Sequence, residues 1–248
     1  MFDWELFTIP RTFEGIHKIR QTNAAESWSR LTPRPQITMF GGDVGDVSLD
    51  YGYWAPVDNN QEGTPLVGEA FLSMENWSLS KDIICYVNSD IILMQDFVDA
   101  LEVVASEFDQ FLMVGQRWDI DINYPIDFDT TWELNLLVDL ESRGKRHQPG
   151  GSDYFAFHRG LFKEFPPYAV GRVRWDNWVI STMVECGIPT VDVSQVTTVI
   201  HQDVRTIHEA ETDEDRRYVD LYNQTKGEAA GNITDSDWVL DDNGFHKR

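Results

Sequence analysis

The residues best suited to chemistry follow a strongly apolar segment in the first half of the chain. Residues 82–87 read Asp-Ile-Ile-Cys-Tyr-Val, a run typical of a buried central strand, and Asn88-Ser89-Asp90 follows it directly. Ligands of open α/β sheets bind at the carboxyl ends of strands, which places Asp90 where a site is expected. A single carboxylate there suits a hard divalent cation that bridges to substrate phosphates. The alternative is that these residues turn the chain and cap a helix that begins near Gln95.

Further polar segments accompany this motif in a definite order. In chain order they are Ile9-Pro10-Arg11, Gly41-Gly42-Asp43, Gly115-Gln116-Arg117-Trp118-Asp119, Gly151-Ser152-Asp153-Tyr154-Phe155, Gly171-Arg172 with Trp175-Asp176-Asn177-Trp178, and Ile200-His201-Gln202. Together with the motif at Asp90, this order resembles the nucleotide-sugar-dependent glycosyltransferases of the GT-A fold, in which a strand ends in a DxD-type motif. The last five segments are similar to a set of glycosyltransferase-like proteins whose substrates are mostly undefined.

The resemblance spans nearly the whole chain. It implies one GT-A domain, a nucleotide-diphosphate sugar donor such as a UDP- or GDP-sugar, and a divalent metal, Mn²⁺ or Mg²⁺. The chain departs from the family pattern at Asn88, which replaces the first acid of a strict DxD motif. A metal or ribose contact expected there becomes a neutral hydrogen bond, and metal affinity is the property that this departure affects.

The resemblance also assigns individual roles. It makes Asp90 the principal metal ligand and His201 the second, although a histidine at the end of an apolar strand is more often a structural residue. Asp43 could accept hydrogen bonds from the base or ribose of the donor, or it could simply be a turn residue after two glycines. Arg117 could bind the diphosphate, or it could form a salt bridge with Asp119 or Asp121. The residues assigned to the donor are Pro10, Arg11, Asp43, Asn88, Ser89 and Arg117.

Asp176 stands at the start of a predicted helix. Inverting GT-A enzymes use an acidic residue at such a place to take the proton from the attacking hydroxyl, and Asp176 resembles it in position. Flanking Trp175 and Trp178 would desolvate the carboxylate. Alternatively, Asp176 caps the helix and the tryptophans belong to the core. The residues assigned to the acceptor are Ser152, Asp153, Tyr154, Arg172 and Trp175, and Asp153 and Tyr154 can equally be plain strand-end residues.

The expected reaction is attack by a hydroxyl of a glycan or other acceptor on the anomeric carbon of the donor. The configuration inverts if Asp176 is the base; otherwise a retaining route is open. A nucleotidyltransferase would have a Gly- and Lys/Arg-rich loop near the first strand, which Ile9-Pro10-Arg11 does not provide. No carboxylate spacing singles out a glycoside hydrolase. A non-catalytic carbohydrate- or nucleotide-sugar-binding protein on the same fold is the alternative from another class.

Composition excludes several other classes. The 248 residues include 20 Lys and Arg against 42 Asp and Glu, a net charge of −22, whereas nucleic-acid binding needs a basic face. No uncharged apolar run approaches the roughly 20 residues that span a bilayer, and the N-terminus has no basic leader segment. The two cysteines give no disulfide framework. We therefore expect a cytoplasmic protein without a transmembrane segment or a nucleic-acid partner.

The elements that must position these residues alternate in type. Short β-branched and aromatic runs alternate with helical periodicity, which predicts an α/β class with a mostly parallel central sheet and helices on both faces. We expect a single GT-A-like, Rossmann-like domain over 1–248, with a nucleotide-binding half 1–120, an acceptor half 121–210 and an acidic C-terminal extension 211–248. The predicted strands cover 6–9, 36–40, 82–87, 111–115, 153–158 and one or two segments within 190–200, and the predicted helices cover 13–31, 64–77, 97–108, 132–140, 175–186 and 211–223. Residues 46–63 are expected to be a polar connection, and the tail a loop that ends near Trp238.

Overall fold

A computed structural model describes residues 3–41, 52–77, 82–204, 212–227 and 231–248. Its strands are β1 Trp4–Thr8, β2 Gln36–Phe40, β3 Gly52–Ala55, β4 Ile83–Val87, β5 Ile91–Leu93, β6 Leu112–Val114, β7 Trp118–Asp119, β8 Lys145–Arg146, β9 Tyr154–His158, β10 Thr190–Asp192, β11 Val199–His201, β12 Trp238–Asp241 and β13 Gly244–Lys247. Its α-helices are α1 Gly15–Trp28, α2 Val67–Trp77, α3 Gln95–Glu107, α4 Trp132–Arg143, α5 Trp175–Glu185 and α6 Asp213–Lys226.

Most strands belong to one mixed sheet. Within the described ranges it has nine strands in the order β3-β2-β1-β4-β9-β6-β10-β12-β13. β9 runs antiparallel to β4 and β6, β13 runs antiparallel to β12, and the other neighbours are parallel. This topology confirms the predicted mostly parallel sheet. Four short strands form a second sheet in the order β5-β11-β7-β8.

Helices cover both faces of the main sheet, as β4 shows. Ile83 and Cys85 pack in a cluster with side chains of α1 and α3, whereas Ile84 and Tyr86 pack in a cluster with side chains of α2 and α5. Successive side chains of a strand point to opposite faces, so a strand buried on both faces must be apolar throughout. Fully burying a side chain of this size stabilises the fold by about 1.5–3 kcal/mol. The doubly covered strand predicted from the sequence is confirmed.

The structure corrects two predicted connections. Residues 52–55 form β3 instead of part of a polar connection. The tail continues through a 3₁₀ helix, Ile233–Asp235, into the hairpin of β12 and β13 instead of remaining a loop. These short strands lie at the two ends of the sheet and lack the long apolar run that marks a central strand. The Asp242-Asn243-Gly244 turn of the hairpin was the available signal, and Gly244 has a φ of 105°.

The predicted start of α2 is also corrected. The helix begins at Val67 and not at Thr64, because Pro65 and Leu66 form bridges with Asn59 and Ala169. These bridges hold Pro65 and Leu66 in extended backbone, so the helix starts only after them. The other predicted strands and helices are present, with ends that differ by a few residues.

The three predicted segments of the domain contribute to one sheet. β4 comes from the first segment, β9 and β10 from the second, and β12 from the third. The boundaries at 120 and 210 stay a prediction. Across the described ranges, the helices are too short or too polar to cross a membrane.

Candidate functional site

The second sheet brings distant segments of the chain together. β5 pairs antiparallel with β11 so that Ile91 lies opposite His201, and β7 pairs parallel with β11 so that Asp119 also lies opposite His201. Asp90 immediately precedes β5. The strand register therefore brings together Asp90 and His201, the two residues predicted to bind a metal.

The His201 ring lies between two carboxylates. Its Nε2 is 3.4 Å from Oδ2 of Asp90, and its Nδ1 is 3.3 Å from Oδ1 of Asp119. Burial alone would lower the pKa of His201, but the two carboxylates raise it to about 10. Burial likewise opposes ionisation of Asp90, but the hydrogen bond and charge of His201 hold its pKa below the ordinary value. The site therefore presents one carboxylate oxygen and one imidazole nitrogen that face each other.

Gln202 holds the backbone of this pair in place. Its side chain is fully buried, and its amide nitrogen donates to the carbonyl oxygens of Asp90 and Arg20, each at 2.8 Å. Its amide oxygen accepts from the side chain of Asn23 at 3.0 Å. The turn that carries Asp90 is thereby tied to the residue that follows His201.

Asp119 is the centre of a wider charged network. Its Oδ1 accepts from Nε of Arg117 at 2.8 Å, and its Oδ2 lies 2.7 Å from Nδ1 of His147. Despite partial burial, these partners and His201 hold the pKa of Asp119 well below its usual range. Arg117 also donates to Asp153, and despite burial the two carboxylates raise its pKa. The salt bridge between Arg117 and Asp119 that the sequence left open is confirmed.

Asn88 belongs to the same network. Its amide nitrogen donates to Oδ1 of Asp153 at 2.6 Å, and its amide oxygen accepts from the Tyr86 hydroxyl at 2.9 Å. Its backbone N–H donates to the Asp153 carbonyl at 2.8 Å, which continues the pairing of β4 with β9. Asn88, the residue that departs from the DxD pattern, therefore donates a hydrogen bond to the buried carboxylate of Asp153.

Gln21 connects the ends of β1 and β4. Its side-chain oxygen accepts from the backbone N–H of Arg11 at 2.7 Å and from the hydroxyl of Ser89 at 2.9 Å, and its amide nitrogen donates to the Arg11 carbonyl at 3.0 Å. The Arg11 side chain is exposed beside the half-buried Pro10. These predicted donor-binding residues lie together, whereas Asp43 lies outside the described residues.

A cavity of about 390 Å³ adjoins this network, with Asp176 in its wall. Asp176 occupies the first turn of α5, and its Oδ2 lies 3.4 Å from the backbone N–H of Ser152. Burial raises the pKa of Asp176 to about 6, and the charge of Asp153 adds to this rise, while backbone N–H groups of Asn177 and Ser152 oppose it. The cavity is lined by Asn88, Arg117, Gly150, Gly151, Ser152, Asp153, Gly171, Arg172, Val173, Arg174, Trp175, Asp176, Asn177 and Val219.

Four of the five predicted acceptor residues line the cavity. They are Ser152, Asp153, Arg172 and Trp175, and the Trp175 ring also packs against core residues such as Tyr86, 5.1 Å away between ring centroids. The predicted contact of Tyr154 with the acceptor is corrected, because this side chain is fully buried in the cluster that contains side chains of α3. Its position within β9 turns its side chain to the opposite face of the sheet from Phe155.

Three residues that contact the site or line its cavity were not predicted from the sequence. Gln21 is a buried polar residue within α1, and a glutamine among core-facing positions was a signal that could have identified it. His147 lies in an irregular segment whose pairing with Asp119 has no local signal. Arg174 has a φ of 78°, which nothing in the sequence indicates, because such a conformation is rare outside glycine.

Comparison with known proteins identifies the fold. No family model and no curated protein sequence matches the chain. A structure of GalNAc-T7 with UDP, GalNAc and Mn²⁺ is 12% identical and superposes with a TM-score of 0.56, covering 90% of this chain. The chain spans about half of that protein, namely 48% of its length.

A second similar protein is glucosyl-3-phosphoglycerate synthase from Mycobacterium tuberculosis. Its complex with phosphoglyceric acid is 16% identical, covers 90% of this chain and 79% of the synthase, and has a TM-score of 0.53. Its complex with Mg²⁺ and UDP has the same identity and coverage, with a TM-score of 0.50. At these identities the likeness concerns the fold, and it confirms the predicted GT-A-like α/β fold.

Proposed function

We propose that this protein is a metal-dependent glycosyltransferase that moves a sugar from a UDP- or GDP-sugar to a hydroxyl of a glycan or other acceptor. The observation that carries the proposal is the pairing of Asp90 with His201 at 3.4 Å, joined through Asp119 and Arg117 to the cavity that contains Asp176. The GT-A-like fold shared with two UDP-binding transferases supports it.

The donor atoms at Asp90 and His201 fit a divalent metal, which would take the place of the proton that His201 carries on Nε2 at neutral pH, because a ligating histidine must be neutral. A carboxylate oxygen and an imidazole nitrogen are ligand types that a divalent cation accepts, and these two atoms face each other 3.4 Å apart. The carboxylate of Asp119 at Nδ1 of His201 is the second partner that metal-binding histidines generally have. Within the described ranges no group of three or more His, Cys, Asp or Glu side chains forms a metal cage. Asp90 and His201 would therefore hold Mn²⁺ or Mg²⁺ together with phosphate or water oxygens.

The strand ends beside this pair would hold the donor. Arg11 and Ser89 hydrogen-bond to the Gln21 side chain at the ends of β1 and β4, where open α/β sheets bind nucleotides, and Pro10 precedes Arg11 in the chain. Asp43 remains a proposed contact for the base or ribose. Asn88 and Arg117 are occupied with Asp153, so we propose that they shape the donor site through that carboxylate.

Asp176 is suited to remove the acceptor proton. With a pKa of about 6 it is ionised at neutral pH, yet basic enough to accept a proton from a hydroxyl as the sugar bond forms. Transfer with Asp176 as base inverts the anomeric configuration. A metal held by Asp90 and His201 would supply positive charge against the departing diphosphate. Ser152, Asp153 and Arg172 would position the acceptor, and a cytoplasmic location stays a prediction.

Nucleotide binding with and without metal tests the proposal. We expect UDP, GDP or one of their sugars to raise the melting temperature only when Mn²⁺ or Mg²⁺ is present, because ligands of the native state stabilise it. Asp90→Ala and His201→Ala should abolish this shift, whereas Asp139→Ala, an exposed residue on α4, should preserve it.

The chemical outcome separates the alternatives. Release of nucleoside diphosphate from a nucleotide sugar on addition of acceptor supports the transferase. Release of pyrophosphate from a nucleoside triphosphate incubated with a sugar phosphate indicates a nucleotidyltransferase. Metal-dependent binding without turnover across acceptors indicates a binding protein. If nucleotide and metal raise the melting temperature of Asp90→Ala as much as that of the unaltered protein, the proposed metal site is wrong.

A further inference from the structure

The cavity contains charges of both signs, and most of them compensate each other. Asp153 is paired with Arg117, and Nε of Arg172 lies 2.8 Å from Oε2 of the buried Glu214. After these pairs, the cavity retains one carboxylate, Asp176, and one cation, Arg174.

Arg174 has no acidic partner in the part of the chain that the structure describes. Its guanidinium lies 5.5 Å from the centroid of the Tyr222 ring, a cation–π distance that leaves its hydrogen-bond donors available. The protein has 42 acidic side chains against 20 basic ones, so a cavity-lining arginine that forms no ion pair within the described residues is unusual for this chain. A guanidinium presents a planar fork of donors that matches carboxylate and phosphate groups.

The backbone holds Arg174 in an uncommon conformation. Its φ of 78° and ψ of −14° lie in the left-handed region, and it is the one non-glycine residue with positive φ in the described ranges. Its carbonyl oxygen accepts from the backbone N–H of Trp178 at 2.9 Å, so the first turn of α5 fixes this geometry. Non-glycine residues in this region concentrate at ligand sites, where the structure enforces an otherwise unfavourable conformation.

We propose that the acceptor of the proposed transfer carries an anionic group, a carboxylate or a phosphate, near the reacting hydroxyl, and that Arg174 binds that group. This inference rests on the proposed function and specifies its acceptor. Asp176 lies two residues beyond Arg174, at the start of the same helix and in the same cavity wall. A small molecule with a hydroxyl and an anionic group would satisfy both side chains.

Matched pairs of small hydroxyl compounds test the inference. With saturating UDP and Mn²⁺ and constant ionic strength, binding is measured by titration calorimetry for glycerate against glycerol and for glucuronate against glucose, with inorganic phosphate as a separate arm. We expect the anionic member to bind at least tenfold more tightly than the neutral one. A preference for phosphate over the two carboxylates assigns the site to phosphate esters, and the reverse assigns it to acids.

Two variants identify the residue responsible. Arg174→Asn removes the charge and keeps a side chain that tolerates positive φ, and Arg174→Gly repeats the loss of charge without backbone strain. Either should remove most of the preference for the anion and leave UDP and Mn²⁺ binding unchanged. Arg216→Asn, at an exposed position of α6, is the matched control and should retain the preference.

Three results would overturn the inference. Equal or undetectable binding of both members of each pair excludes an anionic acceptor. A preference that survives both Arg174 variants excludes Arg174. Weaker UDP and Mn²⁺ binding in these variants assigns Arg174 to the donor diphosphate. Failure of the unaltered protein to bind UDP with Mn²⁺ would instead overturn the proposed function, which distinguishes the two failures.

Discussion

Asp119 fixes the orientation of His201. Oδ1 of Asp119 lies 3.3 Å from Nδ1 of the ring, which leaves Nε2 to face Oδ2 of Asp90 at 3.4 Å. Asp119 is itself held by Arg117 and His147, so the ring is oriented by a carboxylate that cannot easily move. A proton or a metal ion on Nε2 is therefore presented to Asp90 by the fold.

Removal of Asp119 should weaken metal binding. We expect Asp119→Ala to lower the affinity for Mn²⁺ by about 10- to 100-fold, because outer partners of metal-binding histidines generally have effects of this size. Asp119→Asn retains an acceptor oxygen and should have a smaller effect. Electron paramagnetic resonance titration of free Mn²⁺ measures both, with Asp139→Ala as the control for loss of an acid elsewhere. Unchanged affinity in Asp119→Ala would show that His201 is oriented by other contacts.

Restoration of a strict DxD motif should damage the site. In Asn88→Asp, the donor that meets Oδ1 of Asp153 at 2.6 Å is replaced by a second carboxylate. We expect the free energy of unfolding to fall by about 1–3 kcal/mol, the cost of an unsatisfied buried polar group, with no gain in Mn²⁺ affinity. Urea unfolding at pH 7.5 measures this, and Asn135→Asp at an exposed position of α4 should change stability little. A tighter Mn²⁺ site in Asn88→Asp would refute this account.

The central strands could be predicted because their burial leaves a local mark. β4 is buried on both faces, and its sequence is therefore an unbroken apolar run. The polar residues directly after it could be assigned to a site because ligands of open α/β sheets bind at the carboxyl ends of strands. β3 and β12 have four residues each with partly exposed faces, so the same signal is absent. The antiparallel direction of β9 depends on pairing with β4 and β6, which no local pattern encodes.

The network around the site is a tertiary property. Asp90 and His201 were predictable as strand-end residues, but the placement of Asp119 between His201 and His147 depends on the register of β7 with β11. Tyr154 was misplaced because the alternation of β9 sends neighbouring side chains to opposite faces, and the phase of that alternation is set by the fold.

Activity should depend on the ionisation of Asp176. A general base works in its deprotonated form, so at saturating Mn²⁺ the rate should rise about tenfold per pH unit below pH 6 and level off above pH 7. Asp176→Asn should lose this acidic limb and lower kcat by about 10²- to 10⁴-fold. A pH profile of nucleoside diphosphate release measures both. If the limb persists in Asp176→Asn, another group is responsible for it.

The same carboxylate should make the protein less stable at neutral pH. Burial raises the folded-state pKa of Asp176 to about 6 from 3.8, so between these values the folded state binds more protons than the unfolded state. Stability attributable to Asp176 is therefore greatest below about pH 4 and is lost as the pH rises through 6.

Asp176→Asn should consequently be more stable than the unaltered protein at pH 7.5, by about 1–3 kcal/mol, because the amide has no charge to desolvate. The difference should shrink at pH 5, where Asp176 is largely protonated in the folded state. Urea unfolding of both proteins at the two pH values measures it, and Asp139→Asn, at an exposed position, should show no such pH-dependent gain. A variant that is less stable at pH 7.5 would mean that the ionised carboxylate stabilises α5 as a helix cap more than its burial costs. A stability gain together with lost turnover would identify Asp176 as a residue kept for reaction at the expense of stability.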